Sequence, residues 1–271
     1  MSMMAVKIAG KRLFNALGLD VRKRRGEEVP RASMRGALRQ LTSLGFRPQT
    51  VIDVGVAYQT SELYEEFAGS SIVLIEPLAE FEPFLRQICA KHKAQYVLAA
   101  AGAAPGTAVF NVHVDQLDSS SLLKEVEGAP VDGTPRQVPV VTLDQVCADK
   151  KSKGPYLIKL DVQGAELQVL EGAKVTLRET EAVILEATLF GTMIGGPQLS
   201  DLVSRMKDLG FVAYDFFGFS YRPFDNALAQ IDMVFVCEQG PFRTSHVFAT
   251  PEQRKALAWK PDPRLASPVN K

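Results

Sequence analysis

Four carboxylates in this sequence each stand at the close of an apolar run: Asp53 in TVIDV, Glu76 in SIVLIE, Asp161 in YLIKLD and Glu186 in AVILEA. Inside a strand such a group would be costly to bury. At a strand's end it faces a crevice, where it can accept hydrogen bonds from a ligand or take a proton from a hydroxyl. Any one of them could instead cap the following helix or bind loop amides; four together are harder to explain that way. Asp161 and Glu186 are therefore the candidate general bases. Gln163 and Glu166 follow Asp161 at a helix start and could hold the hydroxyls of an acceptor, although Glu166 could equally stabilise that helix N-terminus by its charge. Lys159, inside the same apolar run as Asp161, must find a carboxylate or reach outward to water.

The stretch VIDVGVAYQT, residues 51–60, has the form of a cofactor loop, a strand turning at Gly55 toward a helix that begins near Thr60. A dinucleotide site uses G-x-G-x-x-G so that backbone can approach a pyrophosphate, and Gln59 stands where a second glycine is expected. S-adenosylmethionine has no phosphate to cradle. It needs a turn for its amino-acid tail and an acidic residue about 20 positions on for the ribose hydroxyls, a place that Glu76, followed by Pro77, fills. The expected cofactor contacts are Asp53, Gly55, Val56, Gln59, Thr60, Glu76, Pro77, Ala101 and Asp161. Two rivals come from other classes. A nicotinamide-dependent oxidoreductase lacks its phosphate-binding glycines and a credible Tyr-x-x-x-Lys pair here; a catalytically silent binding module follows if Gln59 blocks the pocket.

These residues need a scaffold that gathers strand ends. Short runs rich in branched residues, at 50–54, 71–76, 95–100, 156–161 and 182–187, suit strands buried on both faces. Between them lie the amphipathic stretches SELYEEFA, EFEPFLRQICAKH and AELQVLEGAKVTLRE, each a predicted helix. A mostly parallel α/β sheet wound by right-handed βα units follows. After a helix near 199–210, FVAYDFF and IDMVFVCE form an antiparallel pair closing one edge. Residues 106–142 interrupt the alternation with the strands TAVFNVHV and QVPVVTL around a polar loop, a candidate cap over the site. The chain thus divides into a basic arm with a helix at 1–47, a domain at 48–240 that includes the 106–142 insertion, and a C-terminal tail at 241–271.

With 271 residues, 46% of them hydrophobic, the chain can bury one substantial core. Its 31 basic and 31 acidic residues cancel, so overall charge gives no reason to expect nucleic acid as a partner. Eleven Lys and Arg against three Asp and Glu fall in residues 1–50. The segment AVKIAGKRLFNALGLDVRKRR at 5–25 could lie on an anionic membrane surface or pack on its own domain or a partner. Cys89, Cys147 and Cys237 read as reduced thiols of a cytoplasmic protein. No signal-peptide core and no membrane-spanning run are visible, so the expected location is the cytoplasm, with peripheral contact at the inner membrane surface through the basic arm. His92 reads as a solvated helix end, and His246 as structural or exposed. His113 could face the pocket. No Cys/His zinc pattern occurs, and no metal is expected.

The stretch YLIKLDVQGAELQVLEGA, residues 156–173, closely resembles the signature of FkbM-type methyltransferases, in which Lys-x-Asp ends a strand and Gln/Glu-Gly-Ala-Glu opens a helix. DVG at 53–55, IEP at 75–77, VTLDQV at 141–146 and the Ser-rich turn DSSSL at 118–122 match in order, so the resemblance covers roughly residues 48–238. It implies a class I, Rossmann-like fold whose sheet is seven-stranded and mostly parallel, with an antiparallel edge strand and a β insertion. It also implies S-adenosylmethionine as cofactor and methyl transfer to a hydroxyl of a saccharide or other natural-product scaffold. It argues against a magnesium site built from Asp161 and Glu186. Acceptor contacts are expected from His113, Ser120, Ser121, Gln163, Glu166 and Arg222, with the loop FGTMIGGP at 190–197 shaping the pocket. The chain departs from the family at Val56, Ala57, Tyr58 and Gln59, where many members carry an Asn and a second Gly.

Overall fold

The computed structural model describes residues 31–257. In chain order its principal elements are α1 (Met34–Ser43), β1 (Thr50–Val54), α2 (Ser61–Glu66), β2 (Ser71–Glu76), α3 (Glu82–Lys91), β3 (Ala94–Leu98), β4 (Ala100–Ala101), β5 (Gly106–Val112), β6 (Thr134–Val141), α4 (Leu143–Lys150), β7 (Tyr156–Leu160), α5 (Glu166–Glu171), β8 (Thr180–Thr188), α6 (Leu199–Asp208), β9 (Phe211–Tyr221), β10 (Leu228–Cys237) and α7 (Pro251–Leu257). The basic arm at 5–25 and Trp259 lie outside the described residues. Among the described residues no helix is long and apolar enough to cross a membrane.

Alternation of branched apolar residues along the strands sends successive side chains to opposite faces, and each face finds its own helices. Ile52, Ile158, Val183 and Phe235 pack on one side with Val146 of α4, Leu170 of α5 and Met206 of α6. Val51, Leu157, Ile184 and Val234 pack on the other with Leu38 of α1, Leu63 of α2 and Leu85 of α3. The sheet between them runs β3-β2-β1-β7-β8-β10-β9. Strands β3, β2, β1, β7 and β8 are mutually parallel, while β10 is antiparallel to both its neighbours. The antiparallel pair closes one edge, with β9 outermost and the reversed strand β10 inserted between β9 and β8. Winding reverses between β1 and β7, so a crevice opens at the carboxyl ends of those two strands.

The interruption at 106–142 forms a second sheet. After β3 the chain leaves the main sheet, and Ala100 and Ala101 pair with Val140 and Val141 of β6, which is antiparallel to β5. The stretch 165–179 is not one helix, because α5 ends at Glu171 and a separate turn spans Thr176–Glu179. Gly172 breaks it. A Cβ there would stand 2.1 Å from the carbonyl oxygen of Gly102, so this close crossing admits only glycine. In the tail, Phe242 packs edge-on against Phe46 at 5.6 Å between ring centroids.

Gly55, at the turn leaving β1, has φ +77°, and a Cβ on it would stand 1.8 Å from the Asp161 carbonyl oxygen. Gly45 has an equally left-handed φ of +91° with nothing within 4 Å. The pair separates backbone strain from collision. Gly45→Ala should cost about 1 kcal/mol of left-handed strain, whereas Gly55→Ala should cost about 3 kcal/mol or more, because it must also push the β1 and β7 turns apart. Denaturant titration of both variants checks this, and equal costs would refute the collision.

Candidate active site

The crevice holds a cavity of about 540 Å³. Its floor comes from the turns after β1 and β7, its sides from the end of β2 and from α1, through Met34, and its cover from the 116–122 loop of the insertion. Of the expected cofactor contacts, Gly55, Val56, Gln59, Thr60, Glu76, Pro77, Ala101 and Asp161 line it, and so do Glu186, Gln163 and Ser120.

Asp53 does not. It is the fourth of five residues of β1, fully buried, and has no surface on the cavity. Its neighbours account for the burial: its Oδ2 accepts from the Tyr64 hydroxyl of α2 at 2.5 Å, and the Lys159 ammonium lies 3.7 Å from its Oδ1. Glu186 also lies within its strand, two residues before the end of β8 and opposite Asp232 of β10, and it lines the cavity beside Gln230. Glu76 ends β2 and Asp161 follows β7 directly, as expected of strand ends.

Glu76 is buried, with Oε1 accepting from the Leu78 amide at 2.9 Å and Oε2 from the Ala57 amide at 3.0 Å. Burial pushes its pKa up to about 7; the two amides oppose this, and the charges of Asp53 and Asp161 add to it. This carboxylate therefore anchors the 55–60 loop as well as facing the cavity. After Gly55 the next left-handed residue in that loop is Ala57, at φ +47°, so the second special backbone position falls two residues before Gln59. Gln59 is exposed at the mouth and needs no glycine.

On the opposite side Gln163 ties the two candidate bases together. Its Nε2 donates to Asp161 Oδ1 at 2.9 Å and to Glu186 Oε2 at 3.0 Å, and Gln230 Nε2 reaches the same Glu186 oxygen at 3.3 Å. Gln163 itself sits at φ +51°, held there by the Ser121 hydroxyl, which donates to its carbonyl at 2.6 Å. Burial first, then the charges of Asp161, Asp232 and Glu166, lifts Glu186 well above the usual carboxylate range, while Lys159 draws it back.

The remaining expected acceptor contacts divide. Ser121 is fully buried and structural, bonding Gln163 and the Leu123 amide. Glu166 is buried and accepts from the Gly164 amide at 3.1 Å; it lines a small side pocket shared with Gln163 and Glu186, and burial raises it to about 7. His113 lies just beyond β5 with its ring 3.9 Å from Glu125, not on the cavity. Arg222 is also off the cavity. The β9–β10 turn carries it outward, where it pairs with Asp225 and stacks 3.7 Å over the Phe190 ring. Sequence reasoning missed the apolar shelf of Leu78, Phe81 and Phe110, whose periodicity is that of ordinary core, and it missed Gln230.

Among the described residues five carboxylates line the cavity (Glu62, Glu76, Asp118, Asp161 and Glu186) against one ammonium, that of Lys159, itself paired with Asp161 at 3.1 Å. A pyrophosphate would be repelled here, whereas a cationic sulfonium beside an apolar shelf for a purine fits. Fold and site together define an S-adenosylmethionine-dependent methyltransferase of class I architecture. Within that class the chain belongs to the FkbM methyltransferase family, whose domain, the Methyltransferase FkbM domain, matches residues 53–213.

Among solved structures the chain is similar to a precorrin-6y C5,15-methyltransferase from Geobacter metallireducens, at 12% identity over 79% of this chain and 93% of the other, with a TM-score of 0.40. It is likewise similar to 1,6-didemethyltoxoflavin-N1-methyltransferase from Burkholderia thailandensis, with bound 1,6-didemethyltoxoflavin and S-adenosylhomocysteine, at 12% identity, 86% and 88% coverage and a TM-score of 0.41. Magnesium protoporphyrin IX methyltransferase from Synechocystis, with bound S-adenosylmethionine, gives 11% identity, 85% and 96% coverage and 0.40. No match was found among curated protein sequences.

The buried acids impose a testable pH dependence. Glu76 binds its proton more tightly folded (about 7) than unfolded (4.5), so its contribution to stability falls as pH rises through that window. Between pH 6 and pH 8 the ligand-free protein should lose about 1 kcal/mol through Glu76 alone. Thermal melting should show a decline to which Glu166, Glu186 and Asp232 also contribute, and Glu76→Gln should reduce it by about that 1 kcal/mol; an unchanged slope would remove Glu76 from the account.

Proposed function

We propose that the enzyme methylates a hydroxyl oxygen on a saccharide or similarly hydroxylated natural-product scaffold. The observation that carries this reading is the amide-bridged pair Asp161–Gln163–Glu186 at the cavity wall. S-adenosylmethionine, when bound, supplies an electrophilic methyl group. The residues that would hold it are Glu76 for the ribose hydroxyls, the 55–60 loop for the amino-acid tail, and Leu78, Phe81 and Phe110 for the base.

An alcohol is a poor nucleophile until its proton leaves, and the group best suited to accept that proton is Glu186, whose raised proton affinity brings it near neutral pH. Asp161 then holds the acceptor in place. Both N–H groups of Gln163 are taken by the two carboxylates, whereas Gln230 keeps one N–H beside these acceptors, a mixture suited to a polyhydroxyl compound rather than an apolar ring. Most of the rate would come from alignment, since an in-line displacement is chiefly a positioning problem.

The test begins with calorimetric titration by S-adenosylhomocysteine, followed by methyl-transfer assays on saccharides beside phenols and amines. Selective turnover of saccharides is expected. Glu186→Gln should lower kcat about 10²- to 10⁴-fold while S-adenosylhomocysteine affinity stays within about threefold, a difference under 1 kcal/mol. Full turnover by the variant would sink the base assignment, and turnover confined to amines or phenols would sink the substrate class.

A further inference from the structure

Lys159 occupies the middle of the site without a role in the reading above, on which this inference builds. It is the fourth residue of the five-residue strand β7, and its side chain is only 6% exposed. The strand register sets it directly opposite Asp53 of β1. On the same face, Glu186 of β8 stands opposite Asp232 of β10. Two charged pairs therefore lie on one face of four adjacent strands, the Glu186–Asp232 pair two residues along β8 from Ile184, which stands opposite Lys159, and Lys159 is the one ammonium among these carboxylates.

That ammonium is not centred between its partners. Its Nζ is 3.1 Å from Asp161 Oδ2, a hydrogen bond, and 3.7 Å from Asp53 Oδ1, which is buried and has no hydrogen-bond partner among the described residues. Leaving a buried carboxylate oxygen without a donor is expensive. The protein accepts this on the far side of Lys159 and spends the short contact on the side facing the cavity. From there an unbroken chain leads outward: Lys159 to Asp161, Asp161 to the Gln163 amide, and Gln163 to Glu186. Behind Lys159, the Tyr64 hydroxyl holds the other oxygen of Asp53.

A residue serving only the core could be apolar at lower cost, because replacing a buried ion pair with packed hydrophobic groups is often neutral or stabilising. We infer that Lys159 is a positioning residue, whose ammonium fixes Asp161 against the cavity and, through Gln163, sets the orientation and charge environment of Glu186. Its reach is electrostatic as well as geometric. Glu186 faces Asp161, Asp232 and Glu166, and Lys159 is the cation that offsets them; the same ammonium opposes the rise that burial gives Asp232. Taking that charge away must make the ionised form of Glu186 less favourable.

The experiment follows the side-chain carboxyl carbon of Glu186 by NMR in ligand-free protein labelled at glutamate, assigned by loss of its signal in Glu186→Gln. In Lys159→Gln, which keeps a donor near Asp161 but removes the charge, the Glu186 titration should move to higher pH by about one unit. S-adenosylhomocysteine affinity, read by calorimetry, should fall less than about tenfold. If Lys159→Gln does not fold, Tyr64→Phe serves in its place: with the hydroxyl gone, Asp53 competes harder for the ammonium, and Glu186 should move the same way by a smaller amount. A Glu186 titration that stays in place while the melting temperature drops would overturn the proposal and leave Lys159 a structural cation. Because the titration needs neither cofactor nor acceptor, failure of the wild type to bind S-adenosylhomocysteine would count against the methyl-transfer reading alone.

Discussion

A single ammonium in the middle of the sheet, Lys159 between Asp53 and Asp161, is the constraint around which the crevice is arranged. It fixes the pairing of β1 with β7, because a one-residue slip would put Lys159 on the opposite face, among the side chains of Ile158 and Leu160, and leave Asp53 buried without its cation. Losing either partner of a buried ion pair typically costs about 3–5 kcal/mol, more than most single packing contacts. The same pairing places Gly55 over the Asp161 carbonyl, so the turns after β1 and β7 touch through backbone rather than side chains. Register, ion pair and glycine are three views of one close approach.

Acidity is the other organising feature. The sequence as a whole is charge-balanced, yet among the described residues five carboxylates line the cavity against one ammonium. Burial first, and neighbouring negative charge after it, lifts Glu76, Glu166, Glu186 and Asp232 above the usual carboxylate range. A site built this way disfavours phosphate and favours a cation. It also keeps a proton acceptor near neutrality, which transfer to a hydroxyl oxygen requires and transfer to a stronger nucleophile does not.

Much of this was legible from residue types and spacing. Glu76 and Asp161 close their runs in the sequence and in the structure, and the alternation of short branched runs with amphipathic stretches led to the parallel sheet. Asp53 was misplaced because TVIDV continues one residue beyond it; the strand does not end at its acid, and only the register shows that Lys159 and Tyr64 compensate the burial. Arg222 was misplaced for a different reason. A turn between two strands shows which residues it contains but not which way it leans, and its guanidinium found Phe190 and Asp225 outside the crevice. The apolar shelf of Phe81 and Phe110 was invisible because a residue that packs and a residue that packs while lining a cavity have the same periodicity.

The absent second glycine near position 59 resolves into backbone geometry. Glycine is needed where φ is positive or where another backbone comes too close, and in this loop those conditions hold at Gly55. The second left-handed residue is Ala57, and an alanine there carries strain of about 1 kcal/mol. The chain tolerates it because the Ala57 amide is bound by the Glu76 carboxylate at 3.0 Å, which holds the peptide in the strained conformation. Glu76 therefore serves two masters, the loop and the cavity, and its raised proton affinity follows from how deeply it must be buried to reach the loop. A chain with glycine at 57 could release its acid from the first duty. Here the loop has shifted that work onto a carboxylate that also lines the cavity, so loop conformation and cavity charge are coupled through Glu76.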